Sequence, residues 1–216
     1  MKRVCIAAGT PLRMNDERIQ PYQEALRAVG LESIVLRPGE DVPDFDGLLL
    51  SGGTDIDPDF YRTARDPRTD EPDTGRDAFE LGLLSAALCT LRPVLAICRG
   101  MQLFSVYHSG TLHQHIEGHS QIGVHDAHAV IVEAGTQLAS IIGAGEHVIN
   151  SRHHQTVDQP GPGLVVTALS PDGIVEALEF PDHPFAIAVQ WHPEDRVQTS
   201  ECDRRLFQAF AAKLNA

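Results

Sequence analysis

The sequence is short of three things: cysteine, positive charge and long apolar runs. Its 216 residues include four cysteines, Cys5, Cys89, Cys98 and Cys202, whose spacing fits no disulfide framework. Cys5 and Cys89 sit in apolar runs, so a reducing compartment is expected, and with it a cytoplasmic location. Lys and Arg number 17 against 30 Asp and Glu, a formal net charge of −13. That balance argues against nucleic acid or an anionic membrane as the main partner and otherwise serves solubility. The apolar run Val4 to Ala8, after Lys2-Arg3, is too short for a signal peptide or a membrane span. What remains is a chain 42% hydrophobic and 22% charged, long enough for one substantial core. A single domain over 1–216 is expected.

The most informative stretch is Pro93-Val94-Leu95-Ala96-Ile97-Cys98-Arg99-Gly100-Met101-Gln102. Val94 to Ile97 reads as a buried strand, and Met101-Gln102-Leu103-Phe104 begins a helical pattern. Strand, nucleophile, small residue and helix make the order of a nucleophile elbow, a sharp turn that lifts one side chain above the sheet edge. The following helix turns its free N–H groups and partial positive charge toward Cys98, which favours a thiolate. Ala96 and Gly100 are small, as a strained turn between two packed elements requires. The plainer reading is a buried structural cysteine.

Around it the chain alternates strands and helices. Arg3 to Ala8 reads as a strand ended by Gly9-Thr10-Pro11. Ile19, Tyr22, Leu26 and Val29 mark a helix that Gly30 closes. Ser33 to Leu36 and Leu48 to Leu50 are further strands, apolar throughout rather than alternating, which points to a parallel sheet covered on both faces. Ser51-Gly52-Gly53-Thr54-Asp55 follows the third strand, where paired glycines let backbone N–H groups approach a ligand. Tyr61 to Thr74 is a long polar loop that could cover a site. Thr74-Gly75-Arg76-Asp77 resembles a capping box, and the helix after it carries Phe79, Leu81, Leu84, Leu88 and Leu91, with Cys89 expected in the same packing. Met101 to Tyr107 forms the elbow helix.

Ala129 to Val132 and His147 to Ile149 are strands flanking a short helical piece at Leu138 to Ile142. Leu164 to Leu169 and Ile174 to Glu179 flank the hairpin signal Ser170-Pro171-Asp172-Gly173. Phe185 to Gln190 is the last strand, and these late strands are expected to be antiparallel additions to the sheet. Asp203 to Leu214 is an amphipathic helix, with Cys202 exposed at its start.

Histidine is the one ligand type in excess. His113, His115, His119, His125 and His128 crowd one segment. No neighbouring cysteine or carboxylate completes a known ligand spacing, so a surface or active-site rim is favoured over a metal centre, and no metal or other cofactor is expected. Asn150-Ser151-Arg152-His153-His154-Gln155 is a second polar cluster, at the end of a strand, and is read as part of a site.

A nucleophilic cysteine needs a base, and the base needs an orienting group. His192, at the end of the last strand, is placed to be the base. Glu194, two residues on across Pro193, can orient it. The backbone N–H groups of Arg99 and of Gly53 or Gly52 are the expected oxyanion hole. All of these lie at strand carboxyl ends, where parallel sheets gather ligands.

Four blocks then carry a resemblance: Ser51-Gly52-Gly53-Thr54-Asp55-Ile56-Asp57-Pro58, Ile97-Cys98-Arg99-Gly100-Met101-Gln102, Asn150-Ser151-Arg152-His153-His154-Gln155 and Gln190-Trp191-His192-Pro193-Glu194. In type and order they resemble the class I glutamine amidotransferase superfamily. Within it the chain is similar to the free-standing peptidase C26 branch, typified by γ-glutamyl-γ-aminobutyrate hydrolase. The resemblance implies an α/β, flavodoxin-like fold: a mainly parallel sheet, helices on both faces and a small antiparallel extension. It implies hydrolysis of a small γ-glutamyl amide through a γ-glutamyl thioester, with Cys98 as nucleophile, His192 as general base and acid, and Glu194 behind it. Gln102, Asn150, Ser151, His153, His154 and Gln155 would line the glutamyl pocket, and a homodimer is one assembly open to it.

Two positions depart from the family's pattern. Ala96 stands where the family often has glycine. In Leu112-His113-Gln114-His115, His115 replaces the family's acidic residue, which bears on the leaving amine. Two other functions are compatible with the same residues: a glutaminase subunit delivering ammonia to a synthetase partner, and a non-catalytic sensor of γ-glutamyl compounds.

Overall fold

Apolar strand runs need cover on both faces, and the computed structural model shows how they obtain it. It describes residues 1–10 and 14–216. Pro11, expected to help end the first strand, lies outside them. The chain opens with β1 (Arg3–Ala7), α1 (Asp16–Ala28), β2 (Glu32–Leu36) and β3 (Gly47–Leu50). A 3-10 turn at Pro58–Tyr61 precedes α2 (Thr74–Cys89), β4 (Val94–Ile97) and α3 (Arg99–Tyr107). Next come β5 (Leu112–His113), β6 (His128–Val132), α4 (Gln137–Ile142), β7 (Gly145–Ile149) and β8 (Thr156–Val157). The chain ends with β9 (Val165–Leu169), β10 (Val175–Glu179), β11 (Ala186–Val189), a 3-10 turn at Pro193–Asp195 and α5 (Glu201–Leu214).

Nine strands form one sheet in the order β2-β1-β3-β4-β11-β10-β9-β6-β7, and β5 pairs with β8 apart from it. The run β2-β1-β3-β4-β11 is parallel, and the strands beyond it are antiparallel. Alternate residues of each strand face opposite sides. Val4 and Ile6 belong to one core together with Ile19 and Leu26 of α1, Leu138 of α4, and Phe207 and Phe210 of α5. Cys5 and Ala7 face the other core, with Leu84 of α2 and Met101 and Phe104 of α3. Among the described residues, no helix is long and apolar enough to cross a membrane.

Several expectations need correcting. The last strand is not an antiparallel addition: β11 lies parallel to β4 (Val189↔Ile97) and closes the parallel core, while pairing antiparallel with β10. The cap of α2 is Asp73 rather than Thr74, because its carboxylate accepts from Arg76 N. Cys89 is exposed at the end of α2, and Cys202 is half-buried, its Sγ 3.3 Å from His147 Nδ1. The polar loop before α2 is pinned rather than free. Gln114 Oε1 accepts from Asp66 N at 2.8 Å and Thr69 Oγ1 at 2.6 Å, and Gln114 Nε2 donates to Ala64 O.

Helix ends decide where the chemistry can sit. The helices α1, α2, α4 and α5 have side-chain N-caps from Asn15, Asp73, Thr136 and Ser200, each of a kind typically contributing about 1 kcal/mol. The helix α3 begins at Cys98 with no side-chain cap, so its first N–H groups stay available.

Candidate active site

Strands β3, β4 and β11 are neighbours and parallel, so their carboxyl ends deliver three segments to one place. β3 leads into Ser51-Gly52-Gly53, β4 into Cys98, and β11 into Gln190-Trp191-His192. Cys98 therefore stands between the glycine pair and the histidine. Its backbone has φ 55° and ψ −108°, a left-handed conformation costing roughly 1–3 kcal/mol for a residue with a side chain. Gly100 allows this turn to sit tight on the sheet, since a Cβ there would lie 2.4 Å from Leu50 O.

A cavity of about 550 Å³ opens over the junction, with Tyr22, Gly53, Cys98, Arg152, His192 and Glu194 on its walls. His192 Nδ1 lies 2.6 Å from Glu194 Oε1. Burial opposes a charge on His192, but the Glu194 carboxylate and the Cys98 side chain outweigh it and raise its pKa to about 10. Burial likewise opposes ionisation of Glu194, and His192, with help from Arg152, holds it below the ordinary carboxylate range. Arg152 Nη2 reaches Glu194 Oε1 at 3.3 Å, and its Nη1 reaches Asp195 Oδ2 at 2.8 Å. The loop bearing His192 is anchored on α5, because Trp191 Nε1 donates to Asp203 Oδ1 at 2.9 Å.

The two glycines have different tasks. Gly52 N donates to the Tyr22 hydroxyl at 3.0 Å, so its N–H is already engaged and Gly52 is not the oxyanion donor. Gly53 and Arg99 are the other residues expected to supply oxyanion donors. Gly52 is instead a clearance position: a Cβ there would meet His192 Cε1 and Tyr22 Oη, each at 2.9 Å. The Tyr22 hydroxyl stays protonated, its pKa pushed well up by burial first and then by Glu194 and Cys98.

The residues expected to line a glutamyl pocket, Gln102, Asn150, Ser151, His153, His154 and Gln155, do not lie on this cavity; of that segment only Arg152 does. They are occupied inside the protein. Asn150 brackets the His192 backbone, Gln102 Nε2 donates to Gln155 O at 2.9 Å, and Gln155 Nε2 donates to Gln114 O at 3.1 Å. Ser151 Oγ donates to His119 O, and the exposed edge of His154 meets Asp55 Oδ1 at 3.1 Å. His115 is bonded to His154 and Glu117, off the cavity.

A buried ion cluster under the glycine pair went unread in the sequence. Arg76, Arg99, Asp77 and Glu80 are each at most 2% exposed. Arg76 Nε meets Glu80 Oε1 at 2.7 Å, and Arg99 pairs with both Glu80 and Asp77. Arg76 Nη2 donates to Ser51 O at 3.2 Å and Gly52 O at 3.0 Å. The cluster thus ties the start of α3 to the glycine loop. An apolar helix pattern interrupted by Arg76, Asp77 and Glu80 was the available signal.

Three groups of histidines and carboxylates lie within ligand distance among the described residues. In His192, Glu194 and Asp195 the imidazole and a carboxylate already bond each other. Asp55, Asp70 and His154 form a partly exposed group. His119, His128, His153 and Glu176 form a largely buried one. His119 and His128 thus turn inward rather than lining a rim, whereas His113 and His125 remain exposed.

The family model described as Peptidase C26 matches residues 16–194. A Mycobacterium tuberculosis protein, Rv2859c, named as a candidate glutamine amidotransferase, is 42% identical over 203 residues, covering 87% of this chain. The chain spans 64% of that relative's length. The γ-glutamyl-γ-aminobutyrate hydrolase PuuD of Escherichia coli K12 is 34% identical over 186 residues, 78% of this chain and 72% of PuuD. Among solved structures, the glutaminase domain of Trypanosoma brucei CTPS, with bound acivicin, superimposes with a TM-score of 0.70. That match is 17% identical and covers 99% of this chain and 94% of the other, a likeness of fold. With the flavodoxin-type sheet, the cysteine turn at its centre and the family match over most of its length, this chain belongs to the peptidase C26 family of class I glutamine amidotransferase-like proteins.

Proposed function

We propose that the protein is a cysteine-dependent hydrolase that cleaves the γ-glutamyl amide bond of a small γ-glutamyl compound. The reading rests chiefly on Cys98, at an uncapped helix start, sharing a cavity with an imidazole held 2.6 Å from a buried carboxylate. The name of the hydrolase relative supports the choice of a γ-glutamyl amide.

In this mechanism the Cys98 thiolate attacks the γ-carbonyl carbon. The carbonyl oxygen becomes an oxyanion that accepts from the N–H groups of Gly53 and Arg99, each such donor lowering a barrier by about 2.7–4 kcal/mol. Collapse breaks the C–N bond, and the His192 imidazolium gives its proton to the departing amine. The γ-glutamyl thioester left on Cys98 is attacked by water, which passes a proton to the now neutral His192. Cleavage of the C–S bond releases glutamate and returns the thiolate–imidazolium pair. Glu194 holds the ring and balances its charge throughout.

The test is glutamate release from γ-glutamyl conjugates of anionic, neutral and cationic amines, with glutamine alongside. Release from at least one conjugate, abolished in Cys98→Ala, is the expected outcome. Ammonia release from glutamine exceeding every conjugate would favour the glutaminase function instead.

A further inference from the structure

The largely buried cluster of His119, His128, His153 and Glu176 is not used by this chemistry. Its four residues come from separate places in the chain: the loop before β6, the first residue of β6, the segment after β7, and the second residue of β10. Glu176 is fully buried, His119 and His153 are 4% and 3% exposed, and His128 is half-buried. The ring atoms His119 Nδ1, His128 Nε2 and His153 Nε2 lie 3.3, 3.6 and 3.6 Å from one oxygen, Glu176 Oε1. None of those nitrogens, and neither Glu176 oxygen, has a hydrogen-bond partner of proper geometry. Five buried polar atoms thus converge without satisfying one another, which a native interior rarely tolerates.

The outer edges of the same rings are fully engaged. His153 Nδ1 is 2.9 Å from Gln155 O, His128 Nδ1 is 3.0 Å from Ala129 O, and His119 Nε2 is 3.1 Å from Asp172 Oδ2. A carbonyl oxygen can only accept, so the first two nitrogens carry the ring proton. In the neutral ring, each inner nitrogen then presents a lone pair to the carboxylate oxygen. Lone pairs facing a carboxylate repel unless a cation lies between them. Three imidazolium ions would meet the need for protons, but they would leave a net excess of two positive charges around one carboxylate in a buried site. One divalent ion with three neutral imidazoles and the carboxylate leaves an excess of one; counting Asp172 in both cases lowers the excess to one for the three imidazolium ions and to none for the divalent ion.

The nitrogen-to-oxygen spacing is close to that of a zinc site, and all four ligand atoms lie within 4.8 Å of one another. Zinc–nitrogen bonds of about 2.0–2.1 Å in a tetrahedron place ligand atoms about 3.3–3.4 Å apart. The hydrogen bonds to Asp172, Gln155 O and Ala129 O are the outer contacts that metal-ligating histidines make. We propose that His119, His128, His153 and Glu176 form a closed, four-coordinate zinc site that fastens the Asn150–Gln155 segment to β10. With all four positions supplied by the chain and Cys98 not among them, the ion is structural. Its place beside Asn150 and Arg152 means that it steadies the segment bracing His192 and Glu194. The site stands whether or not Cys98 is a hydrolytic nucleophile.

The test is zinc content of the full chain, untagged and purified without chelator, then titrated with zinc against a competing chelator. About one tightly held zinc per chain is expected, with a melting temperature that falls when zinc is stripped and recovers on its return. Glu176→Gln or His153→Ala should bring the content below about a tenth, Asp172→Asn should weaken binding by roughly 10–100-fold, and His113→Ala with His125→Ala should change neither. Should the ligand variants fail to fold, zinc-edge X-ray absorption of the unaltered protein decides: three imidazoles and one oxygen are expected. A sulfur ligand, six-coordination, no zinc held in excess zinc, or unchanged zinc content in folded Glu176→Gln would each overturn the proposal.

Discussion

Asn150 holds the peptide of His192 from both sides. Its Oδ1 accepts from His192 N at 2.9 Å, and its Nδ2 donates to His192 O at 3.0 Å. His192, the proposed base, is therefore held by two clamps, Glu194 on the ring and Asn150 on the backbone. In Asn150→Ala both backbone groups lose their buried partner, a loss of about 1–3 kcal/mol per unsatisfied group. Chemical denaturation should show that destabilisation, and steady-state kinetics should show a lower kcat with KM little changed. A raised KM at unchanged kcat would return Asn150 to the glutamyl pocket.

Clearance at Gly52 gives a sharper test. A methyl group there sits 2.9 Å from His192 Cε1 and from Tyr22 Oη, and both belong to well-buried side chains. Gly52→Ala should displace the imidazole and reduce kcat by roughly 10²-fold or more, since small misplacements at a reacting centre cost that much. Tyr22→Phe removes the acceptor of Gly52 N–H without crowding the ring, so it should lower stability by about 1–3 kcal/mol and spare more of the activity. Equal activity losses in the two variants would contradict this division of roles.

The ion cluster below the glycine loop should behave as one unit. Arg99→Met leaves Asp77 and Glu80 buried with only Arg76 as counter-charge, and removing one partner from such a cluster typically costs about 3–5 kcal/mol. Urea unfolding of that variant, and of a double variant with Glu80→Leu, reads the coupling: the second change should restore part of what the first removes.

The fold was legible because its strands are apolar runs with turn residues at their ends, and the nearness of Cys98, His192 and Glu194 because these residues follow two neighbouring strands, β4 and β11. Besides the ion cluster below the glycine loop, three things were not. The direction of β11 depends on its insertion between β10 and β4, a long-range pairing that local pattern does not encode. The block from Asn150 to Gln155 is polar whether it faces substrate or braces a loop, and only the partners of Asn150 and Gln102 distinguish the two. The cluster around Glu176 escaped because that carboxylate lies far along the chain from His119 and His128, in a strand otherwise apolar except at its last residue, Glu179.

Acid and alkali should act on the two members of the buried pair in opposite ways. The pKa of His192 is raised to about 10, so the stability it contributes is complete below its ordinary value near 6.5 and is lost as pH rises toward 10. That of Glu194 is lowered, so its contribution is present above about 4.5 and is lost as pH falls through the lowered value. The difference in unfolding free energy between the unaltered protein and His192→Gln should therefore shrink from pH 6.5 to pH 10. A difference that grows over that range would reverse the assigned charge.

The proposed mechanism requires a γ-glutamyl thioester on Cys98. Acid quenching during turnover of a conjugate identified in the amine panel, followed by peptide mass spectrometry, reads it directly. One glutamyl group on the peptide containing Cys98, absent from Cys89 and Cys202 and lost on hydroxylamine treatment, is the outcome that mechanism requires. Glutamate release at full rate with no adduct on Cys98, and undiminished in Cys98→Ala, would contradict it.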